Sequence, residues 1–166
     1  GKELAERGGT ALIFTLLMIM VYVMFRFQWK FAVGAVTALI HDIIITVGVF
    51  SLFQLPFDLT VVAAILAVIG YSLNDTIVVF DRIRENFRRI RGGDAASVTN
   101  GSINETLSRT INTSMTVMIV VVVLFFMGGE AVKGFSAALI IGVVVGTYSS
   151  IYIASALLLL LGLTRE

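Results

Sequence analysis

Residues 59–80 read LTVVAAILAVIGYSLNDTIVVF, and the only charge among them is Asp75. At 1.5 Å per residue a helix of this length is about 33 Å long, enough to cross a hydrocarbon layer of about 30 Å. The stretch therefore reads as a membrane span carrying Asn74 and Asp75 near its far end. Just ahead of it, Gln54-Leu-Pro-Phe-Asp58 reads as a tight turn, with Asp58 as the N-cap of the span.

Working outward, four more stretches meet the same requirement: residues 10–25, 31–53, 107–127 and 135–161. The first ends at the basic, aromatic anchor Arg26-Phe-Gln-Trp-Lys30, and the second is interrupted by His41-Asp42. The pattern predicts an all-α, polytopic membrane helix bundle with five transmembrane helices, a single transmembrane domain over residues 1–166. Composition agrees. Hydrophobic residues make up 58% and charged residues 14%, against about 25% charged in soluble domains. With a mean hydropathy of +0.99, so short a chain has apolar surface that only lipid can cover. A soluble enzyme, a disordered tail and a nucleic-acid binder are excluded, and the lack of cysteine removes disulfide and zinc-thiolate chemistry. No cofactor and no metal are expected.

Lys and Arg in short loops set orientation. Arg26, Lys30, Arg82, Arg84, Arg88, Arg89, Arg91, Arg109 and Arg165 fall on one side, against Lys2, Arg7 and Lys133 on the other. This bias predicts that residues 26–30, the basic loop 81–105 and the C-terminus are cytoplasmic, with the N-terminus outside. An outside N-terminus that starts at Gly1 leads us to expect upstream sequence with at least one further span. Within the loop, Ile83, Phe87 and Ile90 recur at helical spacing and extend the third span, with arginines placed for anionic headgroups or simply for water. Ser102-Ile-Asn-Glu105 reads as a capping box that starts the fourth helix.

Ionisable groups inside a span cost about 2.5–3.5 kcal/mol each on insertion scales. His41, Asp42, Asp75 and Arg109 therefore need a reason. Asp75 and Arg109 lie at similar depths on helices joined through one loop, so an Asp75–Arg109 ion pair is expected. Glu105, Arg109, Asn112, Thr113 and Thr116 share one face of the fourth span, and Tyr71, Asn74 and Asp75 share one face of the third. Together with His41, Asp42 and Thr46, and with Thr147, Ser149 and Ser150, they read as a polar seam with an ion-accessible carboxylate. Asn112, Thr113, Thr116, Ser149 and Ser150 also read as plain interhelical glue, and this is the simpler account of them. His41 reads equally as a proton carrier and as a hydrogen-bonded neutral imidazole. Ala138, Gly142, Gly146, Ser150 and Ala154 recur every four residues, a small-residue stripe for close helix packing.

Three classes of function compete. An intramembrane aspartyl protease would need Asp42 and Asp75 level with each other and sharing a proton, but their expected depths differ by about 7 Å at 1.5 Å per residue. A scaffold with no ion coupling explains the small-residue stripe but not Asp75 with Arg109. An ion-coupled transport or translocation component explains both, and an ion-coupled solute transporter belongs to the same class.

Longer motifs narrow the choice. Ile69-Gly-Tyr-Ser-Leu-Asn-Asp-Thr-Ile-Val-Val-Phe-Asp-Arg-Ile-Arg-Glu-Asn-Phe87 carries most of a resemblance that Ala38-Leu-Ile-His-Asp-Ile-Ile44, Thr106-Leu-Ser-Arg-Thr-Ile-Asn-Thr-Ser114, Phe25-Arg-Phe-Gln-Trp-Lys30 and Gly142-Val-Val-Val-Gly-Thr-Tyr-Ser-Ser-Ile-Tyr152 extend. In order and spacing they resemble the SecF branch of the SecD/SecF family of protein-export membrane proteins, RND superfamily, over spans two to six. The resemblance implies an RND-like half-bundle in the bacterial inner membrane, with no enzyme activity. It also implies SecD as partner, association with the SecYEG translocon and with YajC, and secretory preproteins as clients of the full-length protein. Export would draw on the proton-motive force or on sodium, with Asp75 and Arg109 in the ion pathway, Asn74 beside them, and His41 and Asp42 in a second family motif.

Overall fold

The computed structural model describes residues 1–162; Arg165, counted in the charge bias, lies outside the described residues. Six helices follow in order: α1 Lys2–Arg26, α2 Trp29–Leu52, α3 Leu59–Arg89, α4 Ala95–Met127, α5 Glu130–Ile151 and α6 Ile153–Leu160. The break between α5 and α6 is a local irregularity at Tyr152, and Glu130–Leu160 is one apolar rod. Counted this way, five helices are long and apolar enough to cross a membrane.

The turn between α2 and α3 is built by local chemistry. Gln54 takes a left-handed φ of 50°, Leu55 N–H donates to Phe50 O and Gln54 N–H to Ser51 O, which satisfies two orphan carbonyls of the α2 terminus. Four residues later the Asp58 carboxylate accepts from Thr60 N–H and Val61 N–H and caps α3. These bonds, and the Thr60 hydroxyl, hold the exposed Asp58 carboxyl below its usual pKa.

Three expected boundaries differ. The first helix starts at Lys2, eight residues before its apolar part, because polar Lys2–Arg7 suits a helix extending beyond lipid and Arg7 pairs with Glu3 at 2.9 Å. α3 continues to Arg89, as the spacing of Ile83, Phe87 and Ile90 predicts, but α4 begins at Ala95, well ahead of its expected start, leaving only residues 90–94 between them. The capping box at Ser102–Glu105 does not form. Asp94 caps α4 by accepting from Ser97 N–H, and Ser102 lies two turns inside the helix.

α3 and α5 form the centre, with α2 against both, while α1 and α4 lie outside and expose most of their apolar surface. Two apolar clusters bracket the bundle. At the arginine-rich end Phe27, Phe31 and Phe80 interlock, with ring centroids 5.0–6.1 Å apart, against Ile83, Ala154 and Leu158. At the opposite end Leu39, Phe50, Val61, Ile65, Ile69 and Ala138 pack together. Between the clusters the buried positions switch to Asp42, Thr46, Ser72, Asp75, Thr76, Ser149 and Ser150. Both carboxylates buried in the bundle fall in this middle layer.

Candidate functional site

The polar layer contains two buried carboxylates in different settings. Asp42 on α2 is fully buried. Ser72 Oγ of α3 donates to its Oδ2 at 2.7 Å, His41 Nδ1 stands 3.3 Å from Oδ1, and buried Ser149 of α5, whose hydroxyl donates to Gly146 O, lies close by. The ring of the adjacent His41, partly exposed, turns back toward the carboxylate. Asp42 is thus the point where α2, α3 and α5 meet. The small-residue stripe makes this approach possible. Ala138, Gly142, Gly146, Ser150 and Ala154 are all buried. A Cβ on Gly142 would overlap Val68 of α3, and one on Gly146 would sit 3.2 Å from Ser72 Cβ and 3.7 Å from Asp42 Oδ2.

Asp75 on α3 lies one helical turn beyond Ser72 and is only 3% exposed, yet its Oδ2 is buried with no hydrogen-bond partner. Two groups bear on it: the Tyr71 hydroxyl one turn back on the same face, and the charge of Arg109. The expected ion pair is not closed. Arg109 is exposed and makes no contact within 4.0 Å of a carboxylate among the described residues. Its depth is as expected. Tyr71 meets Ser114 and Asn86 meets Ser102 across the antiparallel helices, and that register sets Asp75 level with Thr110. It is Thr110 that turns inward, and its neighbour Arg109 points about 100° away around α4.

The same rotation affects the rest of the predicted seam. Asn112 and Thr116 are exposed, Thr113 is half-buried, and both threonine hydroxyls bond carbonyls of their own helix. Asn74 is also exposed. The inward face of α4 is instead Ser102, Thr106, Thr110 and Ser114, a hydroxyl stripe at four-residue spacing that sequence reasoning passed over in favour of the charged stripe beside it. Ser72 was missed too, although it stands one turn before Thr76 on the same face as a break in a run of apolar core positions. At the arginine-rich end Asn86 donates to Ser102 Oγ at 2.9 Å, and Arg82 approaches Glu105 at 3.4 Å.

Five long apolar helices with two carboxylates buried between them, one with an unpartnered oxygen, define a multi-pass membrane helix bundle. The comparisons with known proteins specify the class. The family of SecD/SecF protein export membrane proteins, C-terminal part, matches residues 1–164. The chain is 59% identical over its whole length to the protein translocase subunit SecF of Vibrio alginolyticus and 55% identical to that of Escherichia coli O157:H7. It covers 53% and 51% of those proteins, so it spans about half the length of the relatives it matches. The crystal structure of SecDF from Thermus thermophilus, a translocon-associated membrane protein, superposes with a TM-score of 0.92 at 45% identity. That match covers 97% of this chain and 22% of the SecDF chain. The chain belongs to the SecD/SecF family, on its SecF side.

Proposed function

We propose that this chain is the membrane part of a non-enzymatic translocase subunit that works with SecD beside the SecYEG translocon, with YajC as an accessory. Its role is to convert the proton-motive force, or a sodium gradient, into assistance for secretory preproteins crossing the inner membrane. The observation that carries the reading is Asp75: a carboxyl 3% exposed, with one oxygen unpartnered, on the central helix. A buried group left incomplete in hydrogen bonding costs about 1–3 kcal/mol, and such a cost persists where the group has a second state to occupy.

Asp75 is the site that takes up the ion. Asp42, with His41, anchors the helices against which Asp75 works. Arg109 acts as a counter-charge at the level of Asp75 and approaches it when α4 turns or a partner neutralises its present exposure. The outer face of α4, with Arg109, Asn112 and Thr116 exposed at membrane depth, calls for a polar partner in place of lipid, and SecD is the proposed occupant. One proton moving down 100 mV releases about 2.3 kcal/mol, enough to bias two helix packings of similar energy. The N-terminus of this segment faces outward and its C-terminus the cytoplasm, as the arginine bias requires. A passive scaffold would account for the hydroxyl contacts but leaves the Asp75 oxygen without a purpose.

The test is Asp75→Asn in the full-length protein, assembled with SecD in membrane vesicles, with proton-motive-force-stimulated export of a secretory precursor as readout. Loss of the stimulation with assembly intact supports coupling at Asp75. Unchanged stimulation assigns Asp75 a structural role and refutes the reading.

A further inference from the structure

Beside Asp75 lies a cluster of three hydroxyls from three helices: Tyr71 of α3, Ser114 of α4 and Thr147 of α5. Tyr71 Oη and Ser114 Oγ are 2.6 Å apart, Ser114 Oγ and Thr147 Oγ1 are 2.6 Å apart, and Tyr71 Oη and Thr147 Oγ1 are 3.5 Å apart. Two of the hydroxyls also reach a carbonyl of their own helix, Ser114 to Thr110 O at 2.9 Å and Thr147 to Val143 O at 2.7 Å. Each hydroxyl carries one proton. Three protons cannot serve four short contacts at once, so some of these contacts exclude others.

Among the arrangements that satisfy the count, two would run unbroken from Asp75 one turn along α3 through all three hydroxyls, and they differ in the ionisation of Asp75. With Asp75 neutral, its O–H donates to Tyr71 Oη, Tyr71 to Ser114, Ser114 to Thr147, and Thr147 to Val143 O. With Asp75 ionised, the direction reverses: Thr147 donates to Ser114, Ser114 to Tyr71, and Tyr71 to the carboxylate. Only the proton on Asp75 is gained or lost. Every hydroxyl keeps its own proton and merely rotates. The reversal takes the Thr147 donor away from Val143 O of α5 and turns the Ser114 donor of α4 from Thr147 to Tyr71, which alters the ties among α3, α4 and α5.

We propose that Tyr71, Ser114 and Thr147 form a reversible hydrogen-bond chain that transmits the ionisation state of Asp75 to α4 and α5, with Tyr71 as its positioning residue. The proposal rests on Asp75 being the coupling carboxylate. The other titratable groups nearby are Arg109, whose charge reaches Asp75 from α4, and Asp42 with His41 on α2, which engage the Ser72 side of α3. From α5 the contact is the Thr147 hydroxyl, which does not titrate.

The experiment uses the full-length protein assembled with SecD in lipid vesicles and compares wild type with Tyr71→Phe, Ser114→Ala, Ser114→Thr and Asp75→Asn. Stimulated export is followed against pH, and infrared difference spectra are taken between acid and alkaline buffer with ring-labelled tyrosine. Loss of one hydrogen bond predicts about a two- to tenfold drop in stimulation for Tyr71→Phe and Ser114→Ala, with a displaced pH profile and with recovery in Ser114→Thr. A tyrosine band that changes between the two buffers in wild type vanishes in both Tyr71→Phe and Asp75→Asn. Should Asp75→Asn abolish stimulation while Tyr71→Phe and Ser114→Ala keep the wild-type profile, the chain plays no part and this inference falls alone. Should Asp75→Asn itself keep full stimulation, the coupling reading falls first and the chain has nothing to transmit. If Tyr71→Phe does not assemble, Ser114→Ala with its threonine rescue and the tyrosine band in wild type against Asp75→Asn decide the matter.

Discussion

Asp42 and Asp75 are the same residue type, buried in the same layer and one helical turn apart in depth along α3, and they are held in opposite ways. Around Asp42 three helices converge and each supplies a polar group: His41, Ser72 and Ser149. Around Asp75 one carboxyl oxygen has no partner, a cation stands off without closing a pair, and the nearest hydroxyl has competing demands on its single proton. A buried charge that is fully satisfied adds structure, and one left short is available for change. Gly142 and Gly146 let α5 press against α3 beside Asp42, whereas on the Asp75 side the contact between these helices is the hydroxyl pair of Tyr71 and Thr147.

The contrast breaks first at Asp42. Asp42→Ala strands the Ser72 hydroxyl and opens a void in a fully buried site where three helices meet, and should lower stability by roughly 3 kcal/mol, whereas Asp75→Asn should change it by less than about 1 kcal/mol. Thermal unfolding of the full-length protein in detergent checks both, and equal losses would abolish the distinction. Gly142→Ala comes next. Its methyl group meets Val68 at the side-chain base, where no rotamer change relieves it, and should cost about 1–2 kcal/mol after the gain in helix propensity. The matched Gly48→Ala, which meets nothing within 4 Å, should be neutral or slightly stabilising in the same assay. Asp58 is a third carboxylate, exposed and serving only as a cap. Asp58→Ala should cost about 1 kcal/mol. Because the folded-state pKa of Asp58 lies below its ordinary value, its contribution is present at neutral pH and fades as pH falls below about 4. The gap between wild type and Asp58→Ala in thermal scans should therefore narrow in acid.

Much of this was legible from the chain alone. Residues 59–80 could only be a span, and Asp58 could be recognised as its cap from its place ahead of an apolar run. The helical extension of α3 past the membrane was legible in the spacing of Ile83, Phe87 and Ile90, whereas the early starts of α1 and α4 were not, because hydropathy reports where lipid begins and ends and a helix can continue well past that point. Ser102 looked like a cap for the same reason: it stands where the apolar stretch starts, although the helix had begun at Ala95. On α4 the charged stripe drew attention because charge inside a span is costly, yet the hydroxyl stripe ending at Ser114 is the face that meets the bundle.

These successes and misses divide along one physical line. Rise per residue is constant in a helix, so sequence position converts directly into depth. Depth could therefore be read from the chain itself: Asp75 about one to two turns from the level of Asp42, and Arg109 level with Asp75. Rotation about the helix axis is decided by which neighbours a helix packs against. Both stripes of α4 were compatible with its sequence, and only the packing of α3 and α5 turned Thr110 inward and Arg109 out. Hydrogen-bond completeness follows from rotation and distance together. That is why the tertiary structure alone could show Asp42 satisfied, Asp75 incomplete, and three hydroxyls gathered beside it.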